Sequence, residues 1–344
     1  MDCLPSANDL TVSGSAQTAF HEEAAWATRR LFEGRVFVRA VVEVSNYCRE
    51  NCHYCGMRRD HRALARTRSN FEELAETLIH HRPSAVTDVN IQSGEDPVAA
   101  WEVVLPLIKI LRRDTPLGIS VGLGTHDHAI YRELQEAGAT IYILKFETAN
   151  ALEYQKNEAP GTLPERVSHI RWLAAQGWNV SSGFIAGLPG QGVSHLLENY
   201  RLAAQLPLRG CSVSPFIPGG DTPLADAPAG DAETALNCMA ALRLMRPDWI
   251  IPAVSALNLA QGGSGMAYRR ALRSGANLVT INLTPEPLRK AYPIYTPKRF
   301  IMDEARVSQA MEAEGLAPST ESLADFYRRS AVVPGLRPEV VASS

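Results

Sequence analysis

The stretch VFVRAVVEVSNYCRENCHYC, residues 36–55, places three cysteines directly after a run of apolar, β-branched residues. Cys48, Cys52 and Cys55 follow the pattern C-x3-C-x2-C, and thiolates this close in the chain can share one metal centre. A closed zinc site usually has four ligands, and a four-iron cluster is normally held by four thiolates. Three cysteines predict a [4Fe-4S] cluster with one iron left open to another molecule. A zinc site with His53 or His61 as fourth ligand is the alternative.

The composition is that of a globular protein without a nucleic-acid or membrane partner. Of 344 residues, 45% are hydrophobic and 21% charged, and the formal net charge is −3. A dedicated nucleic-acid-binding protein would carry a basic stripe. The sequence shows neither a secretory signal nor an apolar run long enough to span a membrane. Six cysteines, three of them clustered, fit a reducing compartment, so we expect a cytoplasmic protein.

Short β-branched runs alternate with longer amphipathic stretches along most of the chain. This pattern predicts parallel strands connected by covering helices. Eight strands are expected at 36–44, 85–91, 117–121, 140–146, 178–186, 210–216, 250–254 and 277–282. Eight such units favour an α/β fold of the (β/α)8 TIM-barrel type, with an open or partly closed sheet as the alternative.

Three regions are expected along the chain. Residues 1–17 are expected to form a flexible N-terminus, and residues 18–320 the barrel with its leading helix and a C-terminal extension. Residues 321–344 are expected to form a polar tail.

Polar or glycine-rich clusters follow every predicted strand. The cysteines follow the first strand, Gln92-Ser93-Gly94-Glu95-Asp96 the second and Glu147-Thr148-Ala149-Asn150 the fourth. The carboxyl ends of barrel strands form one face, which carries the active site in enzymes of this fold. The sequence therefore predicts a catalytic site at that face.

The cysteine motif, combined with Gln92-Ser93-Gly94-Glu95-Asp96 and Glu147-Thr148-Ala149-Asn150, resembles the radical S-adenosylmethionine (SAM) enzymes of the biotin-synthase-like branch. The chain is most similar to the [FeFe]-hydrogenase maturases called HydE, and next to the 3-methylornithine synthases. The similarity spans roughly residues 20–320. It implies a radical SAM fold in which a [4Fe-4S] cluster cleaves S-adenosyl-L-methionine to a 5′-deoxyadenosyl radical. A flavodoxin or ferredoxin-type electron donor is also implied.

The resemblance assigns roles to individual residues. Cys48, Cys52 and Cys55 would be the cluster ligands. SAM contacts are expected from Tyr54, Gln92, Ser93, Glu95, Glu147, Arg166 and Leu188. Substrate contacts are expected from Arg39, Ser255, Asn258, Thr280 and Tyr292.

The chain departs from the maturases where substrate would lie. No cysteine follows Cys238, so a second C-terminal cluster is not expected, and Lys145-Phe146 replaces the His or Arg found before the Glu-Thr-Ala-Asn segment. The loop at 258–265 is longer than in either relative. The sequence therefore predicts radical chemistry on a small molecule, with an amino-acid carbon-skeleton mutase as a close alternative. A zinc-binding barrel scaffold is the alternative of a different class.

Overall fold

The strands of the barrel follow one another around a single parallel sheet. The computed structural model describes residues 4–261, 266–295 and 300–332. Its strands are β1 Arg35–Ser45, β2 Asp88–Ser93, β3 Gly118–Gly122, β4 Ile141–Ile143, β5 Asn179–Ala186, β6 Gly210–Pro215, β7 Leu278–Asn282 and β8 Ala317–Pro318. The order is β6-β5-β4-β3-β2-β1-β7, and every pairing is parallel.

The predicted seventh strand, 250–254, closes the sheet through two isolated bridges. Ile250 pairs with Gly210 on β6, and Pro252 pairs with Leu278 on β7, both in parallel. Proline has no N–H to donate to a ladder, which explains why this segment is not a regular strand. Backbone hydrogen bonds still link it to both neighbours, so eight parallel segments enclose the interior. The (β/α)8 TIM-type barrel predicted from the sequence is confirmed.

The helices cover the outside of this sheet. They are α1 Ala7–Thr11, α2 Gly14–Phe32, α3 Phe71–His80, α4 Pro97–Ala99, α5 Leu105–Asp114, α6 His128–Ala137, α7 Ala151–Lys156, α8 Leu163–Ala175, α9 Val193–Gln205, α10 Ala232–Met245, α11 Ala256–Ala260, α12 Ala267–Arg273, α13 Glu286–Lys290, α14 Glu304–Glu312 and α15 Leu323–Val332. A π-helical turn, Ala100–Val104, joins α4 to α5. None of the helices in the described part of the chain has the length and apolarity to cross a bilayer.

Alternation along β1 separates the helix-facing core from the barrel interior. Val38, Ala40 and Val42 are fully buried in the core between sheet and helices. Arg39, Val41 and Glu43 line the interior cavity instead. This period of two is that of a β-strand, and it brings charged residues of an apolar strand to the inside of the barrel.

Parts of both predicted terminal segments are helical and packed. In the segment expected to be flexible, α1 is capped by Ser6, and its Leu10 is fully buried. In the segment expected to be a polar tail, Leu323 and Tyr327 of α15 are buried against the lower end of the barrel. These two residues are four apart and share one helix face. Residues 262–265 of the long loop and residues 333–344 lie outside the described residues.

The buried carboxyl of Asp88 joins α15 to the floor of the barrel. Its two oxygens accept the backbone N–H of Leu323 at 3.0 and 3.1 Å, and Thr87 Oγ1 donates to it at 2.9 Å. Burial raises the pKa of Asp88 to about 6, although these hydrogen bonds and the charge of Arg39 act in the opposite direction. Ionisation of Asp88 is therefore less favourable in the folded protein than in the unfolded chain.

Asp88→Asn should change how stability depends on pH. The folded protein holds the Asp88 proton to a higher pH than the unfolded chain, so its contribution to stability falls as pH rises from about 4 to about 6. From pH 5 to pH 7.5, the free energy of unfolding of the variant should rise by about 1.4 kcal/mol relative to that of wild type, which is the energy equivalent of one pKa unit. Urea unfolding at both pH values measures this, with the exposed Asp226→Asn as control. A difference that does not change with pH would contradict the assignment.

Candidate active site

One cavity of about 410 Å³ occupies the barrel interior and its upper face. Thirteen of the fifteen residues predicted as cofactor or substrate contacts line it, and Leu188 and Asn258 do not. The thirteen are Arg39, Cys48, Cys52, Tyr54, Cys55, Gln92, Ser93, Glu95, Glu147, Arg166, Ser255, Thr280 and Tyr292. Residues far apart in sequence therefore meet in one chamber.

The three cysteines lie together at one wall of this cavity. All three are free thiols, with Cys52 buried and the other two half-buried. Burial raises the pKa of each thiol, that of Cys55 to about 12. Thiolate ligands are stabilised by a bound metal, and binding releases their protons. Three thiols of one cavity wall, one buried and two half-buried, form a donor set suited to an iron–sulfur cluster.

The histidines of the zinc alternative are engaged elsewhere. His53 Nε2 lies 3.3 Å from Glu158 Oε1. His61 Nδ1 lies 2.6 Å from the carbonyl oxygen of Gly56, and its Nε2 lies 3.4 Å from Asp221 Oδ2. In the described ranges, no three His, Cys, Asp or Glu side chains are grouped so as to hold a single metal ion. Neither ring is therefore positioned as a fourth ligand beside the cysteines.

A buried ion pair between Glu95 and Arg166 lies next to the cysteines. Arg166 Nη1 donates to Glu95 Oε1 at 2.6 Å, and both side chains are only 5–6% exposed. Burial acts to raise the pKa of Glu95, but the charge of Arg166 and the hydrogen bonds from Thr125 outweigh it, so this pKa is lowered. Glu95 is thus an ionised carboxylate that fixes the position of the arginine.

Arg166 keeps hydrogen-bonding capacity for a ligand. Its Nε donates to the carbonyl oxygen of Lys145 at 2.8 Å, and its Nη1 is taken by Glu95. Its Nη2 has no hydrogen-bond partner within the described part of the chain and is not fully buried. A guanidinium with one edge fixed and a nitrogen still available can bind a carboxylate in the cavity.

Two glycines allow the loops to approach Glu95 and Cys48 closely. A Cβ on Gly94 would lie 2.1 Å from the carbonyl oxygen of Tyr47 and 2.8 Å from Cys48 Cβ. Gly124 has φ +79°, and a Cβ there would lie 1.9 Å from Glu95 Cγ. Only glycine fits these positions without moving the backbone. The loop after β2 is therefore packed directly against the cysteine loop and the loop after β3.

Glu147 lies at the rim of the cavity in a strained backbone conformation. Its φ is +63°, in the left-handed region that costs a non-glycine residue roughly 1–3 kcal/mol. The backbone is held there by β5, because Glu147 N–H donates to the Gly183 carbonyl at 3.1 Å and Ile185 N–H donates to the Glu147 carbonyl at 2.8 Å. The carboxylate has no hydrogen-bond or ion-pair partner among the described residues. It is available to a ligand with hydroxyl or amino donors.

Gln92 and Ser93 lie on the neighbouring wall at the end of β2. Gln92 Nε2 donates to Glu43 Oε1 at 3.4 Å, and Asn90 Nδ2 donates to Gln92 Oε1 at 3.3 Å. Ser93 Oγ donates to the carbonyl oxygen of Gly94 at 2.6 Å. Their side chains line the cavity with polar groups that already make some of their hydrogen bonds within the protein.

Tyr54 and Leu188 meet in a small apolar cluster above the barrel. Leu188 is buried with Ile185 and Phe216, and the half-buried ring of Tyr54 packs against this group. The Tyr54 hydroxyl is buried and has no hydrogen-bond partner in the described ranges. Leu188 thus lies behind the cavity wall, where it supports Tyr54.

The predicted substrate residues separate into different environments. Arg39 lies deep in the barrel, where its Nη2 donates to Thr280 Oγ1 at 3.4 Å and its buried Nε has no partner among the described residues. Tyr292 is buried at the cavity wall, and Ser255 is exposed at the cavity. Asn258 is fully buried away from the cavity.

Besides Glu50 of the cysteine loop, two charged residues of the lining, Glu43 and Lys145, were not predicted as contacts from the sequence, and Lys145 was noted only as a departure from the maturases. Glu43 is buried, and its Oε1 accepts hydrogen bonds from Gln92 and Asn282. Lys145 donates from Nζ to Ser214 Oγ at 3.3 Å. The signal for both was a single charge inside an apolar run, Val41-Val42-Glu43-Val44 and Ile143-Leu144-Lys145-Phe146. A charge in such a strand is costly unless it faces a polar cavity.

The sequence has relatives of known activity. It is 33% identical to the [FeFe] hydrogenase maturase subunit HydE of Thermotoga maritima over 278 residues, covering 80% of this chain and 78% of that protein. It is 28% identical to 3-methylornithine synthase of Methanosarcina barkeri over 301 residues, covering 86% and 83%. Both similarities extend across most of each protein.

A solved structure and a family profile agree with these relatives. The crystal structure of methylornithine synthase (PylB) superposes with a TM-score of 0.79 at 24% identity, covering 94% of this chain and 96% of that one. The profile described as Radical SAM superfamily matches residues 42–203, which include the cysteines, Glu95, Glu147 and Arg166. The chain therefore belongs to the Radical SAM superfamily of enzymes, as its cysteine motif predicted.

Proposed function

We propose that this enzyme reductively cleaves S-adenosyl-L-methionine at a [4Fe-4S] cluster and uses the resulting radical on a small molecule inside the barrel. The observation that carries the proposal is that Cys48, Cys52 and Cys55 share one cavity with the Glu95–Arg166 pair and the free carboxylate of Glu147. A cavity of about 410 Å³ suits a cofactor and a small substrate, not a macromolecule.

The three cysteines would bind three irons of the cluster and leave the fourth to SAM. When bound, the reduced cluster supplies one electron to the sulfonium of SAM, giving methionine and a 5′-deoxyadenosyl radical. A flavodoxin or ferredoxin-type protein would provide that electron. The protein contributes position and exclusion of water, since the barrel floor is closed by buried Leu323 and Tyr327.

The residues around the cysteines would orient SAM. Arg166 would bind the methionine carboxylate with its available Nη2, while Glu95 holds the guanidinium in place. Gln92 and Ser93 would face the amino group, and Glu147 would accept hydrogen bonds from the ribose hydroxyls. Tyr54, supported from behind by Leu188, would pack beside the adenine.

The substrate would occupy the deeper part of the same cavity. Arg39 and Thr280 line it there, Tyr292 lines it beside the cysteine loop, and Ser255 is exposed at the cavity. The HydE relative favours chemistry of the hydrogenase-maturase type on a small molecule. The 3-methylornithine synthase relative supports rearrangement of an amino-acid carbon skeleton as the second candidate.

Cys52→Ala should abolish SAM cleavage. Loss of one ligand removes an iron anchor. Substituting residues that only support a metal ligand already lowers metal affinity or activity about 10–100-fold, so we expect cleavage to fall by more than about 100-fold. The measurement is dithionite-driven formation of 5′-deoxyadenosine after anaerobic reconstitution, together with iron content. Cys211→Ala is the matched control, because Cys211 is also buried but does not line the cavity. Undiminished cleavage by the Cys52 variant would refute the assignment.

Arg166→Lys should weaken SAM binding without removing the charge that balances Glu95. Lysine lacks the planar fork of donors with which arginine can bind Glu95 and a second carboxylate at once. We therefore expect the KM for SAM to rise about 10-fold or more, which corresponds to the loss of one charge-assisted hydrogen bond. The value of kcat should change much less. Arg171→Lys, on the exposed side of the same helix α8, is the control. A lower melting temperature with an unchanged KM would instead identify Arg166 as purely structural.

A further inference from the structure

A second cavity of about 380 Å³ lies at the amino-terminal ends of the strands, on the other face of helix α15. Leu323 and Tyr327 of this helix line the chamber inside the barrel, whereas Phe326, Arg329 and Ser330 line the second cavity, which we call the lower cavity. Its remaining walls come from the end of α2, the start of β1, and the segments before β6 and after α10 and β8. One helix thus separates two cavities of similar size, and the lower cavity contains none of the residues proposed to contact SAM or substrate.

Arg209, directly before β6, brings to the lower cavity a guanidinium that has no acceptor within the protein. Its backbone is fixed, because its N–H donates to the Val180 carbonyl at 2.8 Å and its carbonyl accepts from Ile250 N–H at 3.1 Å. Its guanidinium carbon lies 5.0 Å from the ring centroid of Tyr327, and none of its side-chain N–H groups donates to a residue of the described ranges. A half-buried arginine with a fixed backbone and free donors is suited to a carboxylate.

Arg35, the first residue of β1, adds a second guanidinium to the lower cavity. Its Nη1 donates to the Pro318 carbonyl at 3.4 Å, which is a long hydrogen bond to a neutral group. Among the described residues, no carboxylate oxygen lies within 4.0 Å of the guanidinium nitrogens of Arg35 or Arg209. The cavity therefore has two arginines without a counter-charge.

The carboxylates that line the lower cavity are mostly paired with other arginines. Glu321 accepts from Arg329 Nε at 3.1 Å and from its Nη2 at 2.9 Å, and Asp248 lies 3.5 Å from Arg246 Nε. Glu33, exposed at the end of α2, has no ion pair within the described part of the chain. Two unpaired guanidiniums against one unpaired carboxylate leave an excess of positive charge, which favours an anionic ligand.

Three phenylalanine rings form an apolar wall of the same cavity. Phe32, Phe37 and Phe326 contact one another in tilted and edge-on arrangements, with ring centroids 5.4–6.4 Å apart. Small-molecule sites typically combine such an apolar surface with a few polar groups that fix the orientation of the ligand. The lower cavity offers an apolar surface for the body of a ligand and arginine donors for its anionic group.

We propose that the lower cavity binds a small carboxylate with an aromatic body, whose anionic group is bound by Arg209 and Arg35 and whose ring packs against Phe32, Phe37 and Phe326. The cavity volume is sufficient for a molecule of this size. The site is separate from the chamber inside the barrel, so the inference goes beyond the proposed function and does not depend on it. Its ligand would contact α15 on the face opposite the floor of that chamber.

Binding of 4-fluorobenzoate to the intact enzyme tests the proposal. We expect its ¹⁹F resonance to shift and saturate as enzyme is added, and neutral 4-fluorobenzamide to bind much more weakly. Arg209→Met should raise the Kd about 10-fold or more, which corresponds to the loss of one charge-assisted hydrogen bond. Arg209→Lys should restore part of the affinity, because it keeps the charge without the planar fork. Arg171→Met, on the exposed side of α8, is the control.

The possible results separate the lower cavity from the chamber. An unchanged Kd in Arg209→Met, or release of the probe by SAM, would place 4-fluorobenzoate elsewhere and overturn the proposal. Equal affinity for the amide, or no saturable binding, would overturn it as well. Dithionite-driven SAM cleavage by Arg209→Met should stay close to that of wild type, which shows that lost binding is not lost folding. A wild-type enzyme that binds the probe but does not cleave SAM would contradict the proposed function alone.

Discussion

The carboxylate of Glu95 connects the cysteine loop, the loop after β3 and helix α8 around the proposed cofactor site. One oxygen accepts from Arg166 on α8 and from the backbone of Thr125 after β3. The other accepts from the Thr125 hydroxyl and from Arg49 of the cysteine loop. The backbone N–H of Glu95 donates to Cys48 Sγ at 3.3 Å. Removing one partner of such a buried pair typically costs about 3–5 kcal/mol, so the cysteine loop and the arginine depend on one side chain.

This connection explains why the site can be shaped before any cofactor binds. The glycines at 94 and 124 let three loops meet around Glu95, and the hydrogen bonds of its carboxylate then fix their separation. Groups held by packing and by supporting hydrogen bonds lose little freedom when a ligand arrives. The strained conformation of Glu147 is maintained in the same way, by the backbone of β5. The fold thus tolerates backbone strain at a position where a ligand is expected.

The sequence predicted those parts of the structure that follow from local patterns. Strand periodicity located the barrel, and the cysteine spacing predicted the three thiols that share one cavity wall, because both signals lie within a few neighbouring residues. The partnership of Glu95 with Arg166 spans 71 positions, and its geometry depends on glycine contacts that no local pattern reveals. The C-terminal helix was missed as a floor because its apolar face is small, with Leu323 and Tyr327 buried among charged neighbours. Leu188 follows β5 as predicted and Asn258 lies on the short helix α11, yet a position in the chain does not say whether a side chain points into the cavity.

The charged residues inside the barrel differ in how their charges are balanced. Near the cysteines, Glu95 and Arg166 neutralise each other, so a bound cofactor meets a balanced and rigid environment. Elsewhere in the cavity, Lys145 donates to a hydroxyl, that of Ser214, and Arg39 donates to the hydroxyl of Thr280 while the carboxyl of Asp88 acts on its charge from β2. A protein selected only for stability would pair or replace such cations, because buried charge without a counter-ion is costly. Lys145 therefore lacks the counter-charge that Arg166 has in Glu95, and its ammonium depends on the hydroxyl of Ser214 and on the polar interior of the cavity.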